Sequence, residues 1–128
     1  MAKTKMKSEF EFSRADLRDA EFIWKLRNSP EVREVSINTA PIMLSNHENW
    51  FENHYTEYWI INDYEGFLRL EKDGNVSIVL NKESRGKGLG QKVLAKQSGK
   101  AIILMNNPAS LHCFIKAGFK LRGFYLEK

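Results

Sequence analysis

The segment Arg85-Gly86-Lys87-Gly88-Leu89-Gly90 holds three glycines and two cations. It follows the apolar run Val76-Ser77-Ile78-Val79-Leu80 and opens a helical pattern with Leu89, Val93 and Leu94 on one face. At a strand-to-helix junction the first main-chain amides of the helix lack partners and point outward. The helix dipole adds partial positive charge there, and glycines let the main chain approach an anion closely. With Arg85 and Lys87 beside it, such a turn suits a pyrophosphate gripped by the amides of residues 86 to 91, Gln91 included. Spacing excludes two nucleotide-binding patterns. The Walker sequence G-x-x-x-x-G-K-[ST] is absent. The dinucleotide fingerprint G-x-G-x-x-G fails because Gln91 stands at its last position counted from Gly86, and Val93 at that counted from Gly88. The segment does match R-x-x-G-x-G. An ordinary glycine-rich turn is the other reading of the same residues.

Groups able to move a proton lie elsewhere. His47 and Glu48, at the start of a predicted helix, and Glu71, after the apolar run Gly66 to Leu70, could accept a proton directly or through water. Each also has a structural reading. Glu48 completes a capping-box pattern from Ser45, and His47 packs at the surface or in the core. Arg27 and Arg33 suit a phosphate by guanidinium geometry, or are solvated charges at a helix end. Trp24, Trp50 and Trp59 read as core residues rather than a ligand platform.

Further along comes Asn107-x-x-Ser110-x-x-x-Phe114-x-x-x-Gly118-Phe119. Together with R-x-x-G-x-G between a strand and a helix, it resembles the GNAT superfamily of acyl-CoA-dependent N-acyltransferases. The resemblance implies an α/β (α+β) fold, with a mixed, mostly antiparallel central sheet and helices on both faces. It implies acetyl-CoA as cofactor, its pyrophosphate on the loop Arg85 to Gln91. The pantetheine would pair with the main chain of Ile78, Val79 and Leu80 and lie beside Asn107, Ser110 and Phe114. An N–H near Ile78 would polarise the thioester carbonyl, and a neutral primary amine would attack directly in a ternary complex, so Cys113 need not be a nucleophile. In the N-terminal half, Trp24-x-x-Arg27-Asn28, Val32-Arg33, Ile42 and His47-x-x-Trp50-Phe51 resemble the subgroup that acetylates amino-sugar nucleotides in pseudaminic acid synthesis. That implies such a nucleotide as acceptor, with Arg27, Asn28 and Arg33 around it.

One position departs from the family. A tyrosine that protonates the departing thiolate is usual where Phe114 stands. Three explanations remain open. The thiolate leaves unaided or takes a proton from water, since thiols ionise not far above neutrality. Tyr125, Cys113 or Ser110 substitutes. Or the domain binds CoA without efficient transfer.

The elements that must position these residues are short. Glu9 to Phe12 alternates as a first strand. Ser13 or Asp16 then caps a helix with Leu17, Ala20, Ile23, Trp24 and Arg27 along neighbouring rows, ended by Asn28-Ser29-Pro30. Glu31 to Pro41 reads as a loop. The capping box at Ser45 predicts a helix from about His47 to His54, with Trp50 and Phe51 inward. Strands come next at Tyr58 to Ile61, Gly66 to Leu70 and, after the turn Lys72 to Asn75, Val76 to Leu80, whose apolar run predicts burial on both faces. A helix from Gly88 to about Ser98, a buried strand Ala101 to Met105, a helix capped by Asn107 and a final strand Phe119 to Leu126 complete the order. Pro108 suits the first turn of that last helix, whose predicted apolar face is Leu111, Phe114 and Ile115. The stretch from Gly90 to Asn107 is shorter than the family norm, which limits its helix to about three turns. The chain also stops soon after Phe124, where relatives commonly have one more strand, so a dimer completing the sheet is one remedy for an open edge.

The 128 residues predict one domain spanning 1–128. With 42% hydrophobic and 28% charged residues the chain has material for one modest core. No apolar run is long enough to span a membrane, and no secretory signal opens the sequence. Cys113 is the sole cysteine, so no internal disulfide forms, and no metal-ligand spacing appears. A cytoplasmic location follows as the default. The net charge of +4 suits an anionic partner, but the cations are dispersed and no nucleic-acid motif is present. The expected partner is a small-molecule amine, for a monomer or homodimer.

Overall fold

The computed structural model of the chain describes residues 10–128. Glu9 lies outside them, and the first strand, β1, spans Phe12–Arg14. Asp16, not Ser13, is the N-cap of the next element. Its carboxylate accepts from the Arg18 amide, and Asp19 reaches back to the Asp16 amide, closing a capping box around the 3₁₀ turn Leu17–Asp19. Helix α1, Ala20–Arg27, continues from it and buries Ala20 and Ile23.

The predicted loop after Ser29 instead begins with a helix, α2, Pro30–Glu34. Proline at the first helical position costs no hydrogen bond there. Helix α3 runs Leu44–Phe51, with Met43 as N-cap and no side-chain cap. Ser45 is therefore inside the first turn and the predicted capping box does not form. The helix is placed by its buried residues, His47 and Phe51, rather than by local capping.

Strands β2 (Tyr58–Ile61), β3 (Gly66–Leu70) and β4 (Val76–Leu80) lie as predicted. Among the described residues they form one antiparallel sheet in the order β1-β2-β3-β4. Tyr58, Ile60, Phe67 and Val79 point to one face, under α1 and α3. Ile61, Leu68, Val76, Ile78 and Leu80 point to the other, under α4 (Leu89–Leu94) and α5 (Pro108–Lys116). Helices thus cover both faces, as the fold class requires.

Several expectations in the C-terminal half fail for one reason. Helix α4 has six residues, not the predicted run to Ser98. Residues 101–105 and 119–126 are not strands. Leu111 and Ile115 are exposed rather than core, and Met105 is fully exposed. β4 is consequently an edge, half-buried along Ile78 to Leu80 rather than covered on both sides. Apolar residues alone predict burial only when a neighbouring strand arrives to bury them.

One contact ties residue 100 to the sheet. Asn75 and Lys100 form an isolated parallel bridge, with the Val76 amide donating to the Lys100 carbonyl at 2.8 Å and the Lys100 amide to the Gly74 carbonyl at 3.0 Å. Gly99 makes this possible. Its φ is 134°, and a Cβ there would run into the Gly74 carbonyl and stand 3.0 Å from Val76 Cγ2. Gly99→Ala should therefore lower stability by about 2 kcal/mol, read as a shift in the urea midpoint.

Candidate active site

Beyond the bridge, residues 101–105 leave β4 unpaired. The ladder on its other side fixes which groups are left over. The Glu71 amide donates to Asn75 O at one end and the Asn81 amide to Glu65 O at the other. In an antiparallel pair, hydrogen-bonded residues alternate with outward-facing ones. Ser77 and Val79 thus spend their main-chain groups on β3, and Ile78 and Leu80 turn theirs to the open edge. Of the three residues expected to pair with a cofactor, Val79 cannot do so through its main chain. The Leu80 carbonyl is also taken, by Arg85 Nε at 2.9 Å. The Ile78 amide and carbonyl and the Leu80 amide remain.

The edge runs directly into the glycine-rich turn. Asn81 caps the 3₁₀ turn Lys82–Ser84 through its side chain. Gly86 and Gly88 then adopt φ values of 73° and 84°, with nothing near either position where a Cβ would stand. Gly88 is the N-cap of α4, and the first bond closed onto it is Lys92 N to Gly88 O at 3.1 Å. Among the described residues no main-chain amide from Gly86 to Gln91 has a partner. Gly86, Lys87 and Gly88 are exposed. A shallow hollow of about 160 Å³ lies alongside, lined by Asn62, Glu65, Ser84, Lys87, Leu89 and Lys92. Arg85 is held by Leu80 O and lies 3.6 Å from the Glu31 carboxylate, so Lys87 is the loop's outward charge.

The late motif forms the cap and the buried face of α5. Asn107 Oδ1 accepts from the Ser110 amide at 3.2 Å, so Asn107 caps α5 and its side chain is committed to that role. Ser110 is half-buried. Phe114 is 4% exposed, edge-on to Phe119 at 5.0 Å. It contributes a wall and no proton. The half-buried Cys113 thiol is pushed above its usual pKa by burial, which disfavours the nucleophilic thiolate.

No protein-family model matches this sequence, and no curated protein matches it. Solved structures do align with it. Spermidine N-acetyltransferase from Vibrio cholerae, solved with CoA and spermine, aligns with a TM-score of 0.78 at 16% identity, over 95% of this chain and 87% of that one. A GNAT-family acetyltransferase from Bacillus anthracis aligns at 0.74 and 12% identity, over 92% and 84%. Aminoglycoside acetyltransferase AAC(6')-Ib, solved with coenzyme A, aligns at 0.68 and 16% identity, over 90% and 86%. The chain has the GNAT acetyltransferase fold.

Within this GNAT fold the other predicted site residues are dispersed. Glu48 is exposed on α3. Glu71 comes just after β3 and lies 3.6 Å from Arg69. Arg33 Nε and Nη1 donate to the Asn28 and Thr39 carbonyls at 3.0 and 3.2 Å. Asn28 Oδ1 accepts from the Ile42 amide at 2.7 Å. Both side chains therefore hold the connection from α1 to α3. Arg27 lies over the Trp50 ring at 5.1 Å and reaches His47 Nδ1 at 3.3 Å.

Sequence reasoning missed the centre of that face. Arg69 donates to Glu57 from Nε at 2.9 Å, approaches it again from Nη2 at 2.8 Å, and lies over Trp50 and Tyr58 at 5.0 and 5.4 Å. His54 stacks on Trp50 at 4.1 Å. Ser77 is the register partner of Arg69 and precedes Ile78. The signal was an arginine in the otherwise apolar strand Gly66-Phe67-Leu68-Arg69-Leu70. Among the described residues no group of acidic, histidine or cysteine side chains could hold a metal, and no helix is long and apolar enough to cross a membrane.

His47 is only 2% exposed, and its Nε2 has no hydrogen-bond partner among the described residues. Burial, then the Arg27 charge, lowers its pKa from 6.5 to about 4. Its seat in the core keeps it from the β4 edge, which removes it as a direct base. The depressed value makes stability fall as pH drops from 6.5 toward 4, because the unfolded chain takes up the proton first; below 4 the effect is complete. Between pH 7 and 5 it should cost about 2 kcal/mol. Urea midpoints at the two pH values check this, and His47→Phe should lose that share of the difference.

Proposed function

We propose that this protein is an N-acetyltransferase that transfers acetyl from acetyl-CoA to a primary amine of a small substrate. The observation that carries the reading is two sets of unpaired main-chain groups, Ile78 N–H and C=O with Leu80 N–H on the β4 edge and, beyond the 3₁₀ turn, the amides of residues 86–91. Together they are polar and open, which suits a ligand carrying amides at one end and a diphosphate at the other. Two of the solved structures sharing the fold hold CoA, and one of these also holds spermine.

Amides 86–91 and Lys87 bind the diphosphate. Ile78 N–H donates to the thioester carbonyl as negative charge develops on its oxygen. The amine nitrogen attacks the carbonyl carbon, a C–N bond forms, the C–S bond breaks and CoA leaves as the thiolate. Phe114 has no proton to give, so water protonates the thiolate. Of the two glutamates Glu71 is the preferred base, since it lies on the Arg69–Ser77 face, whereas Glu48 is exposed on α3. The amino-sugar nucleotide suggested by the N-terminal resemblance would rely on Arg27 for its phosphates, since Arg33 and Asn28 are engaged with main chain.

Phe114 also favours a second reading, a CoA-binding module impaired in transfer. Thiol release from acetyl-CoA across a panel of amines separates the two. The enzyme reading expects turnover with at least one amine and a change of less than about threefold in Phe114→Tyr. CoA that raises the melting temperature without turnover, or a large gain in Phe114→Tyr, selects the module.

Gly88→Val tests the loop. The space there is open, but a β-branched residue resists φ of 84°. The variant should keep its far-UV circular dichroism and lose at least about tenfold in CoA affinity by calorimetry.

A further inference from the structure

The gap beside β4 is bounded at both ends. At its base stands the Asn75–Lys100 bridge, where the two segments are parallel. Arg85, past the end of β4, and Asn106, past residues 101–105, both lie beside one short helix. Helix α2 touches both. Glu31 Oε2 is 3.6 Å from Arg85 Nη2, and the Glu34 carbonyl accepts from Asn106 Nδ2 at 2.9 Å. α2 is thus a strap across the mouth. It buries none of its residues, so these two polar contacts, with the Arg33 bonds to Asn28 and Thr39, hold it in place.

The Arg85 contact is the one a ligand would disturb. Arg85 is pinned through Nε to Leu80 O, and its free end points at Glu31. The next residues in the chain are the unpaired amides of the glycine-rich loop. An anion seated on them stands beside the same guanidinium. A half-exposed carboxylate at 3.6 Å is a weak competitor, whereas a diphosphate offers several oxygens to a guanidinium fork.

We infer that Glu31 and the cofactor's diphosphate compete for Arg85, so that cofactor binding frees the Glu31 end of α2. Once released, Glu31 presents an unpaired carboxylate to an incoming ammonium group. This inference rests on the proposed binding of CoA.

The test is calorimetric titration of CoA into the full chain and into Glu31→Gln and Glu34→Gln, with hydrogen exchange of amides 32–36 followed with and without CoA. Glu31→Gln should bind CoA roughly two- to fivefold more tightly, the effect of removing a weak exposed pair. Glu34→Gln removes the same charge from the same helix without touching Arg85, and should bind as the parent does. Amides 32–36 should exchange faster with CoA bound. Equal or weaker binding by Glu31→Gln, equal tightening in Glu34→Gln, or slower or unchanged exchange in α2 would overturn the inference. Failure of the parent chain to bind CoA would instead overturn the proposed function, and with it this step.

Discussion

Among the described residues, β4 has a full hydrogen-bonded ladder on one side only. Its inner groups are consumed by β3, and its outer groups meet a partner at a single bridge before residues 101–105 turn away. Unpaired main-chain polar groups buried from water are costly, so an edge of this kind persists only where water or a ligand reaches it. The arrangement of the candidate site depends on that one missing ladder. Ile78 faces the gap, Arg85 folds back on Leu80, and the amides of residues 86–91 are spared from any internal bond because they precede the first closed turn of α4.

The two faces of the sheet serve different ends. Under α4 and α5 the core is aliphatic and aromatic, centred on Leu68, Val93, Leu94 and Phe114. Under α1 and α3 it gives way toward β3 to a charged and aromatic cluster in which Arg69 is held by Glu57 and Glu71 and shares the Trp50 ring with Arg27. Arg69 is neutralised by its carboxylates, whereas Arg27 has the Trp50 and His47 rings beside it, and the indole ties both guanidiniums into one rigid wall. Such a wall shapes a site.

Much of this is legible in the residues. β2, β3 and β4 appear at their predicted bounds because each is an apolar run closed by a turn, and Asp16 and Asn107 cap the helices their side chains announce. The loop is legible because glycines and cations at fixed offsets leave few alternatives. Other parts depend on contacts between distant segments. Ser45 matches a capping box, yet α3 starts earlier because burying His47 and Phe51 fixes its register. Ala101 to Met105 has strand composition, but a strand needs a partner, and none pairs with it beyond Lys100. The ion pairs of Glu57 with Arg69 and of Glu31 with Arg85 join residues far apart in the chain, and no local pattern encodes them. Val79 groups with Ile78 and Leu80 by composition, which cannot reveal ladder parity.

The two core clusters meet only through the sheet, with no buried residue common to both. A substitution in α1 or α3 therefore repacks first against Tyr58, Ile60 and Phe67, while α2 reaches the glycine-rich turn through Glu31 and Arg85. The architecture is modular in the engineer's sense. One side can be repacked while most of the other is kept, with the sheet as the partition and the Glu31–Arg85 and Glu34–Asn106 contacts joining the two across it.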